Sequence, residues 1–376
     1  MAPVVSYRDL RKQARRKLPR FAFDFVDGGA GDEAGLDRNE AAYRARCLQP
    51  RVLINSDRAL PLKRRFLGRD WALPFGIPPI GLAGIAWPEI DLLLAEAAEQ
   101  AGIPYVASTP ATVALERLRQ RAPESAWFQL YVGKSEEITA DLLARAKAAG
   151  YRTLVVTADV PRPGRRLRDL RNGFALPLKP GPRLAFDLMR HPGWALRTAR
   201  HGAPRFANLE PYAERGSSTQ SLAQLMAGQS SGRLDWALLR EIRDGWSGQV
   251  ILKGVSAPQD AVKAAETGVD AVWVSNHGGR QLSSAPAPLD ALPEIRRALP
   301  AGFPLALDGG IRSGEDMIKA LAAGADFVFA GRPFLYAIAA LGPRGASRLI
   351  AQFASELENT MAQIGWSDLD LQDGAG

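Results

Sequence analysis

Three histidines occur in the 376-residue chain, His191, His201 and His277, and only His277 closes an apolar run that reads as a core strand. Histidine is the side chain best suited to take and return a proton near neutral pH. Arg280 follows three residues on, past Gly278 and Gly279, which let the backbone turn tightly. Its planar guanidinium could therefore offer a bidentate fork to a carboxylate beside the imidazole. Asp159 closes Thr157-Ala158-Asp159, where it could hold the imidazole in one tautomer and stabilise its protonated form; a helix cap or loop salt bridge is the alternative. Lys253 stands alone in an apolar run, so its ammonium must reach solvent, or else an electron-rich ring or a phosphate. Asp308-Gly309-Gly310-Ile311-Arg312 and Ala330-Gly331-Arg332-Pro333 each join glycines to a cation, a combination that binds phosphate through backbone N–H groups. Two such segments imply a phosphorylated ligand.

The elements that must position these residues repeat one theme from about residue 73: a short apolar run, a polar or glycine end, then an Ala/Leu/Glu-rich stretch with helical spacing. Candidate strands are Leu73–Leu82, Pro104–Thr109, Ala126–Tyr131, Thr153–Asp159, Gln249–Val255, Ala271–Gly278, Pro304–Gly310 and Phe327–Arg332. Helical spacing covers Glu89–Ala101, Glu136–Ala149, Pro258–Thr267 and Gly314–Ala323. The alternation predicts an α/β fold, a TIM (β/α)8 barrel with its active site at the carboxyl ends of the strands. Residues 1–70, with helical patterns over Ser6–Lys17 and Pro19–Asp27, form an N-terminal helical cap. Residues 71–376 form the barrel, interrupted after the fourth strand by an insertion over 160–232 that is too long for an ordinary connection.

At 46% hydrophobic the chain can bury a large core as one main domain. The lone Cys47 excludes an internal disulfide and a cysteine metal cluster, and reads as a small buried residue. Neither a cleavable leader nor a stretch of about 20 apolar residues is present, which points to a cytoplasmic protein. The net charge of +8 admits nucleic acid, anionic lipid or small anions, but no zinc-finger spacing or aromatic RNA-binding motif accompanies it. Nucleic acid is therefore not expected, nor a metal. Gly28-Gly29-Ala30-Gly31 follows a probable helix and lacks the spacing of a nicotinamide-binding turn.

Ser275-Asn276-His277-Gly278-Gly279-Arg280-Gln281-Leu282, with Lys253-Gly254, Gln129-Leu130-Tyr131, Thr157-Ala158-Asp159, Asp308-Gly309-Gly310 and Gly331-Arg332, resembles the FMN-dependent 2-hydroxy acid oxidase and dehydrogenase family. That family includes glycolate oxidase, L-lactate dehydrogenase and (S)-mandelate dehydrogenase, and the match runs nearly end to end. The resemblance implies that FMN is held by Ser108, Gln129, Thr157, Lys253, Ser275, Asp308, Gly310, Arg312, Gly331 and Arg332, with backbone from Pro79, Ile80 and Gly81. It implies that His277 removes the substrate proton, that Arg280 and Arg166 bind the carboxylate, that Tyr131 contacts the hydroxyl region and that Asp159 supports His277. Lys253 would stabilise negative charge on the reduced ring.

Gly81-Leu82-Ala83-Gly84, Trp87-Pro88 and His191-Pro192-Gly193-Trp194 bring the chain nearest the family's mandelate dehydrogenases, and Pro110, where glycolate oxidase has tryptophan, leaves room for an aryl substrate. Two positions depart from the pattern: Phe25 replaces a carboxylate-binding tyrosine, and Pro79-Ile80-Gly81 lacks a threonine that would reach FMN. Residues 176–215 carry seven Lys/Arg against three acidic residues among Leu184, Phe186, Leu188, Met189, Trp194, Leu196 and Phe206, which suits a membrane surface, a lid or a subunit contact. By resemblance the insertion anchors the chain peripherally on the inner face of the cell membrane and electrons pass to the respiratory chain, a quinone for example. The alternative is a soluble oxidase that uses O₂ and releases hydrogen peroxide. The resemblance also implies a homo-tetramer.

Overall fold

Runs such as Thr153–Thr157 (TLVVT), buried at every position, cannot sit at the edge of a half-wet sheet and belong in a parallel sheet covered on both faces. The computed structural model, which describes residues 4–57, 60–174, 181–213 and 231–369, places eight strands side by side, seven of them buried at every position. They are β3 (Phe75–Gly76), β4 (Tyr105–Ser108), β5 (Ala126–Leu130), β6 (Thr153–Thr157), β7 (Gln249–Val255), β8 (Ala271–Val274), β9 (Leu305–Asp308) and β10 (Phe327–Phe329). All neighbours are parallel, in the order β3-β10-β9-β8-β7-β6-β5-β4. The ends meet where the Ile77 N–H donates to Pro104 O (2.9 Å) and the Val106 N–H donates to Ile77 O (3.0 Å). This is a TIM barrel, and each strand lies within its expected run.

Helices follow the strands, several started by a side chain that accepts from an otherwise unpaired N–H. Ser135 caps Glu136–Ala148, Asp235 caps Trp236–Gly245 and Ser313 caps Gly314–Ala322. Before the barrel come helices Tyr7–Lys17, Arg20–Asp27 and Ala34–Ala45, the last not anticipated by the sequence pattern. A hairpin of β1 (Arg64–Phe66) and β2 (Arg69–Trp71), also unanticipated, pairs antiparallel through a turn with positive φ at Leu67 and Gly68. Its Phe66 and Trp71 join Trp127, Trp273, Phe327 and Phe329 in a separate buried cluster.

In the insertion, helices Leu167–Arg171, Pro182–Arg190 and Pro192–His201 are formed; 176–180 and 214–215 lie outside the described residues. Trp194, expected at an interface, is instead 4% exposed and donates to Ile85 O (2.8 Å), because the short helix turns its indole onto the barrel. Phe186, Met189 and Leu196 remain 57%, 71% and 54% exposed. Cys47, expected to be buried, is exposed beyond the end of helix Ala34–Ala45. Among the described residues no helix is long and apolar enough to cross a membrane.

Candidate active site

Strand β8 ends in a tight turn over His277–Gly279, and His277 takes a left-handed φ of 57°, uncommon for a residue with a side chain. Three bonds fix it: the His277 N–H donates to Ser275 Oγ (3.0 Å), Nδ1 meets Asp159 Oδ1 (3.0 Å) and Nε2 meets the Tyr131 hydroxyl (3.2 Å). Burial alone would raise the Asp159 carboxyl, yet the charges of His277 and Lys253 hold it below its ordinary value. Asp159 is thus an acceptor, Nδ1 carries a hydrogen toward it, and Nε2 is turned to Tyr131. Tyr131 is pushed upward by burial and by the Asp159 charge, so it stays a neutral hydroxyl within hydrogen-bond reach of Nε2. Gly254, at φ 102°, lets the two strand ends close up: a Cβ there would lie 2.6 Å from the Asp159 carboxyl carbon.

Lys253 is 3% exposed, which excludes the solvent alternative. Its ammonium donates to Ser275 Oγ (2.9 Å) and pairs with Asp308 Oδ2 (3.2 Å), while Ser275 Oγ donates to Asp308 Oδ1 (2.5 Å). Two strands over from Lys253, Gln129 Oε1 accepts from Ser108 Oγ (3.0 Å) and the Thr109 N–H (3.2 Å), which fixes the amide orientation. Gln129 Nε2 and Thr157 Oγ1 are then buried without a partner. Each such orphan costs roughly 1–3 kcal/mol unless a ligand completes it. A flavin ring edge offers alternating carbonyl oxygens and N–H that match an amide donor and a hydroxyl, so these residues fit FMN.

A cavity with about 790 Å³ of empty space opens at this end of the barrel. Its wall includes Pro79, Ile80, Gly81, Lys253, His277, Arg280, Asp308, Gly310, Arg312, Gly331 and Arg332. Tyr131, Asp159 and Ser275 are tied to that wall through His277 and Lys253, whereas Ser108, Gln129, Thr157 and Arg166 do not line it. Arg166 instead pairs with Asp169 (2.6 Å) and faces the ring of Phe25 (5.7 Å), which Arg280 approaches from 5.1 Å. Burial, then the charges of Arg166 and Arg332, push Arg280 down to about 9. That is the signature of a cation in need of an anion. Arg312 donates to Glu40 Oε1 (3.2 Å) and stacks on Tyr7 (4.8 Å).

Sequence reasoning missed Asn39, which exchanges amide hydrogen bonds with Asn276 (2.9 and 2.7 Å) while Asn276 Oδ1 also accepts from the Gly279 N–H (3.0 Å). This buried pair fastens the His277 turn to helix Ala34–Ala45; no local pattern marks a contact over 237 positions. Phe329 and Leu335 complete the apolar side of the cavity and looked like ordinary core.

A family model described as FMN-dependent dehydrogenase matches residues 14–373. The chain is 38% identical to the (S)-mandelate dehydrogenase of Pseudomonas putida, over 97% of its own length and 92% of that protein. It is 37% identical to an L-lactate dehydrogenase of Pseudomonas syringae pv. syringae, over 98% and 97%. A crystal structure of the monotopic membrane protein (S)-mandelate dehydrogenase superposes with a TM-score of 0.94 at 37% identity, covering 98% of this chain and 97% of that one. An FMN-fitting polar layer behind a histidine and two arginines, on a barrel matched almost end to end, therefore places this chain in the FMN-dependent dehydrogenase family.

Proposed function

We propose that the chain oxidises (S)-2-hydroxy acids to 2-oxo acids, with (S)-mandelate or a related aryl or alkyl acid as substrate. The carrying observation is the line Asp159–His277–Tyr131, which leaves His277 Nε2 as a proton acceptor at the wall it shares with Arg280. FMN supplies the two-electron acceptor. Around it, Gln129 and Thr157 meet the ring, Ser108 and Ser275 orient Gln129 and Lys253, and Lys253 compensates charge on the ring edge. Pro79, Ile80 and Gly81 would offer backbone; Asp308 would accept from the ribityl hydroxyls, and Gly310, Arg312, Gly331 and Arg332 would hold the phosphate. Arg280, with Arg166 behind Phe25, neutralises the substrate carboxylate. His277 takes the substrate proton, Asp159 stabilises the imidazolium, and the Tyr131 hydroxyl orients the substrate oxygen.

Phe25 cannot donate to the carboxylate as a tyrosine would, a loss of about 1–2 kcal/mol. An apolar ring there favours a substrate with a large apolar side chain. Electrons then leave for a respiratory acceptor such as a quinone. Exposed Phe186, Met189 and Leu196 beside Arg190 and Arg200 support peripheral contact with the inner face of the cell membrane, as does the monotopic relative. Residues 1–70 cap the barrel, and a homo-tetramer is the assembly.

The test is the visible spectrum of the purified protein, followed by anaerobic addition of (S)-mandelate, L-lactate and glycolate in separate cuvettes. Flavin absorbance bleached by one acid is expected, (S)-mandelate first. Flavin that none bleaches would overturn the substrate class, and peroxide released in stoichiometric yield under air would replace the quinone with O₂.

A further inference from the structure

Helix Arg20–Asp27 ends at the cavity wall, and the last turn of any helix leaves carbonyl oxygens without intrahelical donors. Two arginines occupy this end. Arg280 donates to the carbonyls of Phe25 (2.8 Å) and Gly28 (3.0 Å). Arg332 donates to those of Val26 (3.1 Å), Gly28 (2.9 Å) and Gly278 (3.0 Å). The Gly28 carbonyl therefore serves both. Neither arginine forms an ion pair with a carboxylate among the described residues, whereas Arg166 beside them has Asp169. Carbonyls at the negative end of a helix orient a guanidinium without cancelling its charge, so both cations stay available to anions.

The carboxylate of the helix's last residue is turned away from them. Asp27 is buried, with Arg11 donating to both its oxygens (2.5 and 2.7 Å), Arg168 to Oδ2 (2.7 Å) and the Tyr336 hydroxyl to Oδ1 (2.5 Å). Those donors stand on helices Tyr7–Lys17, Leu167–Arg171 and Arg332–Leu341, and the last of these begins with Arg332 itself. Three elements are thus pinned to the residue that follows Phe25 and Val26 and precedes Gly28.

We propose that Asp27 is a positioning residue that fixes the carbonyl cradle of Phe25, Val26 and Gly28, and through it sets Arg280 for the substrate carboxylate and Arg332 for the cofactor phosphate together. This rests on the proposed roles of those two arginines. With Asp27 neutral, Arg11 loses its anion and Arg168 keeps only Glu33 and Asp24, so the helix end is held less tightly and both guanidinium groups shift at once.

The experiment uses flavin-loaded Asp27→Asn, with every rate normalised to bound flavin. KM for the acid that reduces the wild-type protein should rise about tenfold and FMN release should quicken about tenfold, the scale of one weakened charge-assisted hydrogen bond at each site. kcat should stay within about threefold, because Asp27 touches neither His277 nor Asp159. Arg11→Met, at a half-exposed partner that can be lost without unfolding, should move both quantities in the same direction by about threefold. Wild-type KM and FMN release in a protein of reduced thermal stability would make Asp27 structural only. A change in one quantity without the other would overturn the shared cradle. If no 2-hydroxy acid reduces even the wild type, the substrate reading fails alone, and the FMN-release comparison still decides whether Asp27 sets Arg332.

Discussion

The two ends of the barrel are built on opposite principles. At the amino end the hairpin of β1 and β2 seals the strands with aromatic rings, Phe66 on Phe327 at 5.1 Å and Trp71 against Trp127 at 5.8 Å. At the carboxyl end buried polar valences stay open on Gln129, Thr157 and Asp159, and arginines stand beside carbonyls in place of carboxylates. Apolar contact at one end supplies stability that the other end gives up by keeping charge and donors free for ligands. Substitutions at the two ends should therefore fail in different ways.

The sharpest contrast is His277→Ala, which should keep its flavin and lose about 10²–10⁴-fold in the anaerobic rate of flavin reduction, the range of a general base. At the sealed end Trp71→Ala should lower unfolding free energy by about 3–5 kcal/mol and leave the rate per bound flavin unchanged. A loss of rate per flavin in Trp71→Ala would break the division between the ends. Arg280→Lys should raise KM about 10- to 100-fold, because an ammonium cannot reproduce the planar fork; saturation at wild-type concentrations would remove Arg280 from the carboxylate site. Thr157→Val is the small case. If its hydroxyl is completed by flavin, FMN release should quicken about fivefold; if it is merely an unpaired core hydroxyl, valine should stabilise the protein and leave release alone.

Acid titration probes the network behind the open end. Burial alone would raise the Asp27 carboxyl, and hydrogen bonds from Arg11, Tyr336 and Arg168 outweigh it, holding Asp27 below the usual carboxylate range. A depressed acid contributes stability above its unfolded pKa of about 3.9 and loses that contribution as pH falls toward the folded value. Stability of Asp27→Asn should accordingly fall less than that of the wild type below about pH 4. Parallel acid limbs would mean that folding does not lower the Asp27 carboxyl.

What could be read in advance divides along the same line. All eight barrel strands were legible because fully buried parallel strands are continuous apolar runs of the right length, and strand ends in a barrel converge by topology. His277, Asp159 and Lys253 were legible as the polar residues closing those runs. Asn39 and the hairpin were not, since their value lies in partners far along the chain, such as Asn276 and Trp127. Trp194 was misjudged for the same reason: a basic, amphipathic segment gives no sign of which aromatic turns inward to Ile85. Asp27 looked like an ordinary residue at a helix end until Arg11, Arg168 and Tyr336 were seen around it.

The central claim is that His277 is the base in oxidation of a 2-hydroxy acid, and stopped-flow anaerobic reduction of flavin-loaded wild type and His277→Ala by (S)-mandelate tests it most directly. The account expects rapid bleaching in the wild type and a rate lower by about 10²–10⁴-fold in the variant at equal flavin content. Bleaching of both proteins at similar rates would contradict it.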